Sequence, residues 1–325
     1  MRFPPPLCDG ARVGLVAPAG PLRNATDLDR SIANARGLGW EPVVGDHVLE
    51  RDGYLAGSDA SRLADLNRFA RDDSIDAIWC VRGGYGTMRI LEHIDYDAWR
   101  ARPKALIGYS DVTALHAAIG QRAGIVTFHG PTARAELTPN TRSSLVRAVA
   151  SPDTEEFRAS RTEVTLAGTT DPAGEGQPHA PRRSISGMRS LKPGRAEGHL
   201  VGGNLALVAA LVGTPYAWDL DGAILVLEDV SESVYRLDRM FTQLWLSGGL
   251  KRVAGLVFGQ FTDIPDDASN ADRPLERLLA EVAQQCGVPT LANFPLGHVD
   301  EQFTLPLGVT ATIDATACTL SYEPR

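Results

Sequence analysis

Cysteine is scarce in this chain and never paired in sequence. Among 325 residues there are four, Cys8, Cys80, Cys286 and Cys318, with no C-x-x-C. That distribution argues against a zinc ribbon or a disulfide frame and fits thiols kept reduced in a cytoplasm. The seven histidines show neither H-E-x-x-H nor H-x-x-x-H spacing, so no local metal motif exists, and neither a metal nor another cofactor is expected. No apolar run approaches the ~20 residues a membrane helix needs. The opening MRFPPPLCDG has no apolar core of a secretory signal. Basic residues do not dominate either: 32 Lys and Arg face 40 Asp and Glu, a net charge of -8, which argues against a nucleic-acid backbone as partner. There is no G-x-x-x-x-G-K-[ST] loop for a nucleoside triphosphate, and the glycines at 83–86 lack G-x-G-x-x-G order. These absences leave a cytoplasmic protein, off the membrane, that handles a small molecule or a peptide.

What is present reads as two cores. The composition, 43% hydrophobic and 22% charged, is that of a globular chain, and the length suffices for two domains. Apolar runs at 12–17, 42–44, 75–81 and 105–107 alternate with helical patterns at 27–38, 59–71 and 87–93. This order predicts a doubly wound α/β domain with a parallel sheet over residues 1–150. The unbroken run IDAIWCV at 75–81 predicts a strand buried on both faces, and Ser58 or Asp59 is placed to cap the helix at 59–71. Residues 151–195 are punctuated by Gly and Pro, with weak strand signals at 163–166, and read as a connector. Residues 196–325 predict a mixed β/α domain. It has helices at 205–212, 235–246 and 275–286, strands at 223–227, 253–258 and 289–291, and antiparallel strands over 302–322.

The chemistry-bearing groups cluster at strand ends. Residues 104–117, KALIGYSDVTALHA, read as strand, tight turn and helix, with Ser110 at the turn. Such a turn presents a hydroxyl beside the first N–H groups of a helix, as a nucleophile elbow requires, although a capping serine in an ordinary doubly wound fold has the same pattern. Gly83 and Gly84, in RGGYG after the 75–81 strand, can turn N–H groups inward and, with the Asp111 N–H, form an oxyanion hole. A serine nucleophile also needs a base and a group to orient it. His116 points away from the turn in an ideal helix, which leaves His129 at a strand end and His298 in a rigid Gly-His-Val-Asp loop as the two competitors. Glu228 follows the apolar strand AILVL directly; it is either a solvated strand end or a carboxylate held for orientation, with Asp229 and Glu232 near enough to share the role. Arg82 can clamp a carboxylate bidentately or form a structural ion pair, and Asn204 can hold a substrate polar group or cap a helix.

Taken together, Ala17-Pro18-Ala19-Gly20, Arg82-Gly83-Gly84-Tyr85-Gly86, Gly108-Tyr109-Ser110-Asp111, Gly202-Gly203-Asn204-Leu205, Leu227-Glu228-Asp229 and Gly297-His298 resemble, in that order, the LD-carboxypeptidase family of serine peptidases. That family includes the muramoyltetrapeptide carboxypeptidases and the microcin C self-immunity proteins. The resemblance implies an amidotransferase-like α/β first domain and a smaller, swivelling β/α second domain, with the site in the cleft between them. It implies Ser110 as nucleophile, His298 as base and Glu228 as its orienting acid, a peptide substrate such as a murein tetrapeptide, and a homodimer. The immunity branch carries tryptophans in the connector loop that stack on a nucleobase. Residues 163–195 contain none, which favours cell-wall peptides over peptidyl adenylates. A non-catalytic peptide-binding module is the remaining alternative.

Overall fold

The computed structural model describes residues 1–150, 156–158, 187–265 and 272–322. The strand signal at 163–166 and His179 lie outside them. The first half runs β1 (Arg12–Val16), α1 (Ala25–Gly37), β2 (Glu41–Val44), α2 (Asp59–Arg71), β3 (Ala77–Cys80), α3 (Tyr96–Ala101), β4 (Ala105–Gly108), α4 (Thr113–Ala123), β5 (Thr127–His129) and α5 (Pro139–Ala150). The second half comprises β6 (Glu156–Arg158), β7 (Arg189–Lys192), β8 (Arg195–Asn204), α6 (Leu205–Ala210), β9 (Ile224–Val230), α7 (Val234–Leu246), β10 (Gly255–Thr262), α8 (Leu275–Cys286), β11 (Thr290–Ala292), β12 (Leu305–Leu307), β13 (Thr310–Asp314) and β14 (Thr319–Tyr322). No helix among the described residues is long and apolar enough to cross a membrane.

Local chemistry accounts for the helix starts. Asn24 accepts from the Asp27 N–H to cap α1, and Ser58, not Asp59, caps α2 by accepting from the Ser61 N–H. Residues 87–93 form a 3₁₀ turn where the sequence suggests an ordinary helix. Seven residues between Gly86 and Ile94 leave little room to develop α-helical hydrogen bonds.

Two sheets result. The first has the order β12-β5-β4-β3-β1-β2 and is parallel throughout except for β12, which runs antiparallel to β5. Its central strands are inaccessible: Val13, Leu15, Ile78 and Trp79 all have 0% exposure, as burial on both faces of a parallel sheet requires. Trp79 is T-shaped against Trp40 and donates its indole N–H to the Pro131 carbonyl at 2.7 Å, so its polar edge is satisfied inside the core. The second sheet has the order β6-β14-β13-β8-β9-β10-β11-β7, with β8, β9, β10 and β11 parallel and the outer strands antiparallel. β12 comes from the second half of the chain yet lies in the first sheet, so the tail expected as one antiparallel group divides between the two sheets.

The sheets meet at a close contact. Gly203, at φ +131, brings β8 against the start of α4, where a Cβ would lie 2.5 Å from Thr113 Oγ1. The next residue, Asn204, donates its backbone N–H to that same hydroxyl at 2.9 Å. Only glycine meets both the backbone angle and the space here.

His116 shows how the first core constrains its own acid stability. Its ring turns back toward the strand end and donates Nε2–H to the Gly108 carbonyl at 2.9 Å, with no exposure to solvent. Burial pushes the imidazole down to about 4, the Gly108 hydrogen bond opposing. Below the ordinary histidine pKa of 6.5 the unfolded chain takes up this proton and the native protein does not, so stability falls from pH 6.5 toward 4, by about 3 kcal/mol for this residue. His116→Gln, which keeps a donor but cannot titrate, is expected to flatten that acid limb in urea unfolding measured from pH 7 to 4. Parallel wild-type and variant profiles would rule out this role.

Candidate active site

β4 ends at Gly108, Tyr109 is extended, and Ser110 adopts φ +66 before the chain enters a 3₁₀ turn over Ser110–Val112 and then α4. A serine in the left-handed region is held there at a cost of roughly 1–3 kcal/mol, so the surroundings must impose it. Two bonds do so: the Asp111 carboxylate accepts the Thr87 N–H at 2.8 Å, and Thr87 Oγ1 donates to the Asp111 carbonyl at 2.6 Å. Burial pushes the Asp111 carboxyl up, and its bonds to Thr87 oppose that shift. The strand, strained serine and helix reproduce the mechanics of a nucleophile elbow.

Glu228 and His298 reach this serine from the second half. β9 carries Glu228 as the parallel partner of Asn204, so the Asn204–Thr113 bond fixes the Glu228 strand relative to the Ser110 turn. Glu228 has no exposure, and its Oε2 lies 2.9 Å from His298 Nδ1. A carboxylate only accepts, so Nδ1 bears the hydrogen, and the lone pair of Nε2 faces Ser110 Oγ at 3.1 Å. The imidazole packs edge-on against Tyr109, with ring centroids 4.9 Å apart. Its loop is fastened to β10 by Phe294 N–H to Phe258 O at 3.0 Å and Gln260 N–H to Leu296 O at 2.9 Å.

The other candidates have distinct places. His129 is buried behind Tyr109 and stacks toward His116 rather than reaching Ser110. Asp229 points to the opposite face of β9 from Glu228; it accepts from Asn204 Nδ2 and from the Ala206 N–H, both at 3.0 Å, and burial, then the charge of Glu228, pushes its carboxyl up to about 6. Glu232 lies 3.5 Å from Arg236. Asn204 caps α6 with its side chain and is 4% exposed. Gly83 abuts the Ser110 turn, since a Cβ there would sit 2.8 Å from Ser110 Cβ. Its carbonyl accepts the Gly20 N–H at 3.0 Å, and peptide planarity turns the Gly84 N–H to the opposite side. Arg82 donates to the Pro21 carbonyl.

Two supporting residues carry no motif that sequence reading could use. Arg62 is 2% exposed and donates to both the Pro18 and Gly86 carbonyls, tying the loops after β1 and β3 together. In sequence it is an ordinary arginine in a polar stretch of α2. Thr113 is one more small residue of the helix, until β8 is placed against it.

A serine on an elbow, an imidazole and a buried carboxylate joined in series form the hydrogen-bond arrangement of a serine-type hydrolase. The family models agree. Residues 13–130 match the LD-carboxypeptidase N-terminal domain, and residues 197–313 match the LD-carboxypeptidase C-terminal domain. A murein tetrapeptide carboxypeptidase of Pseudomonas aeruginosa is 35% identical, over 93% of this chain and 93% of its own. The microcin C7 self-immunity protein MccF of Escherichia coli is 28% identical, over 95% of this chain and 92% of its own. A structure of MccF in complex with glutamyl sulfamoyl guanosine superposes with a TM-score of 0.86 at 25% identity, covering 99% of this chain and 98% of that one. A muramoyltetrapeptide carboxypeptidase from Oxalobacter formigenes superposes at 0.80 with 26% identity, covering 96% and 98%. The chain belongs to the LD-carboxypeptidase family, and it has that family's two-domain α/β architecture.

The loop bearing His298 depends on a glycine. Gly297 has φ +113, and a Cβ there would lie 2.6 Å from Glu228 Oε2, the atom that accepts from the imidazole. Gly297→Ala is therefore expected to displace the His298–Glu228 pair and lower turnover by at least about 100-fold, with a loss of roughly 1–3 kcal/mol in stability. Turnover and thermal unfolding read the two effects separately; a fully active variant would contradict the geometry.

Proposed function

We propose that this protein is an L,D-carboxypeptidase that releases the C-terminal D-alanine of murein tetrapeptides, with Ser110 as nucleophile, His298 as general base and Glu228 as the acid that orients it. The observation that carries this reading is the continuous series Glu228, His298, Ser110, with contacts of 2.9 and 3.1 Å. Relatives named for murein peptides, at 35% identity over nearly the full chain, support the substrate class.

In this mechanism Nε2 of His298 takes the Ser110 proton as Oγ attacks the carbonyl carbon before the terminal residue. The charge on the tetrahedral oxygen is held by the backbone N–H groups of Asp111 and of Gly84 or Gly83. The imidazolium then gives its proton to the departing amine, and water, activated by the same imidazole, hydrolyses the acyl-enzyme. The buried Glu228 carboxylate keeps Nδ1 protonated and stabilises the imidazolium as it forms. These steps require no cofactor. In this reading Arg82 supplies positive charge on the substrate side, Asn204 supports the site from its buried place as the α6 cap, and a cytoplasmic homodimer goes with it.

The likeness to MccF bound to a sulfamoyl nucleoside supports a second reading, in which the same groups cleave a peptidyl or aminoacyl adenylate. The absence of tryptophan from residues 163–195 favours the murein peptide. Purified protein assayed on an L,D-tetrapeptide beside a peptidyl-nucleotide analogue distinguishes them: D-alanine release with the analogue left intact is the expected result. Ser110→Ala should lower that release by roughly 10⁴-fold or more with the fold unchanged. Substantial D-alanine release by this variant would eliminate Ser110 as nucleophile.

A further inference from the structure

The loops that leave the carboxyl ends of β1, β3 and β5 each carry an arginine, Arg23, Arg82 and Arg134, and the loop after β4 carries Ser110. Side chains at this rim of a doubly wound sheet face the ligand crevice. The three arginines gather on one short segment. Asp27 Oδ2 accepts the Arg23 backbone N–H at 3.2 Å and lies 3.8 Å from an Nη of Arg134, while Arg82 donates to the Pro21 carbonyl a few residues earlier. The Asp27 carboxylate thus acts on the guanidinium groups of Arg82 and Arg134, to both of which Arg23 adds positive charge. Burial weighs first against the charge on Arg82, with the charge of Arg23 next; Asp27 opposes both, and Arg51, which donates to the Leu22 carbonyl at 2.9 Å, adds to them. For Arg134 burial again comes first; Asp27 relieves it, and Arg23 and Arg82 add to it. Arginine stays protonated in such surroundings, so the positive field remains.

Within this cluster Arg134 has spare capacity. Its side chain is 22% exposed, its Nε is shut from solvent with no hydrogen-bond partner, and its 3.8 Å approach to Asp27 is too long for a hydrogen bond. Arg82, in contrast, already spends one Nη as a strut to Pro21. Arg134 also lies near the reacting groups. It interacts electrostatically with the Tyr109 phenol, and the Tyr109 ring packs edge-on against His298 at 4.9 Å. The Arg134 loop and the Ser110 turn leave neighbouring strands, β5 and β4, at the same sheet end.

We propose that Arg134, in the field of Arg23 and Arg82, is the anion subsite that takes the free C-terminal carboxylate of the substrate. The planar fork of a guanidinium matches a carboxylate bidentately, and a partly buried cluster of arginines favours an acidic peptide over a neutral one. The proposal rests on the exopeptidase reading and assigns to Arg134 the specificity for a chain terminus.

The test compares kcat/KM for an L,D-tetrapeptide with that for the same peptide as its C-terminal amide, in wild type, Arg134→Gln, Arg134→Lys and Arg82→Gln. Wild type is expected to prefer the free acid by about 10- to 100-fold, the worth of a charge-assisted hydrogen bond. Arg134→Gln should bring that ratio close to one, chiefly through KM. Arg134→Lys, which keeps the charge and preserves folding if the glutamine variant does not, should retain an intermediate ratio, and Arg82→Gln a larger share of the preference than Arg134→Gln. A purely structural arginine would lower both activities and leave the ratio unchanged, which would overturn the proposal; so would a wild type that cleaves acid and amide equally. A wild type whose Ser110 labels with a fluorophosphonate while neither peptide is cleaved would instead sink the exopeptidase reading itself.

Discussion

Everything in this fold is arranged around one short contact, the 3.1 Å between Ser110 Oγ and His298 Nε2, made by residues 188 positions apart. A hydrogen bond of that length tolerates little relative motion of its two ends, so the two sheets must be fixed to each other. Two features fix them. The Asn204 N–H to Thr113 Oγ1 bond joins the end of β8 to the helix that follows the Ser110 turn, and Gly203 makes that approach sterically possible. The loop bearing His298 leaves β11 in the second sheet and enters β12 in the first, where Leu305 pairs with His129. His298 therefore sits on a strap anchored at both ends, one in each sheet.

The electrostatics suit the proposed chemistry for the same reason. Removing Glu228 wholly from water is expensive for a carboxylate; the bond from His298 Nδ1 to Oε2 offsets part of that cost, while Oε1 is buried with no hydrogen-bond partner. The pairing also fixes the tautomer, so no solvent rearrangement is needed when the imidazole becomes positive. The strain in Ser110 belongs to the same economy of motion. The Asp111–Thr87 bonds hold the backbone in the left-handed region before any substrate arrives.

Much of this was legible in the sequence, and the parts that were not share a cause. Apolar runs located the strands of the first sheet, the 275–286 helix matches α8 residue for residue, and the turn at Ser110 followed from strand-turn-helix periodicity. Those are local signals. Residue pattern alone left His298 and His129 in competition, and Glu228 as either a solvated strand end or an orienting acid, because nothing within ten residues of either reports on a partner far along the chain. Family resemblance supplied the trio, and the fold brings its three members into hydrogen-bond contact. The same limit hid the rest. β12 exchanges sheets because β5 offers an open edge, Arg62 gains its importance from two carbonyls in other loops, and Arg134 acquires Asp27 and Tyr109 only when the β1 and β5 loops converge.

The central claim is that Ser110 and His298 act as one unit across the two sheets. A double-mutant cycle on D-alanine release tests it most directly, using Ser110→Ala, His298→Ala and the double variant. Residues that share one step are strongly non-additive. The account predicts that each single substitution costs roughly 10⁴-fold or more and that the double variant is no worse than Ser110→Ala alone. Losses that multiply in the double variant would contradict it.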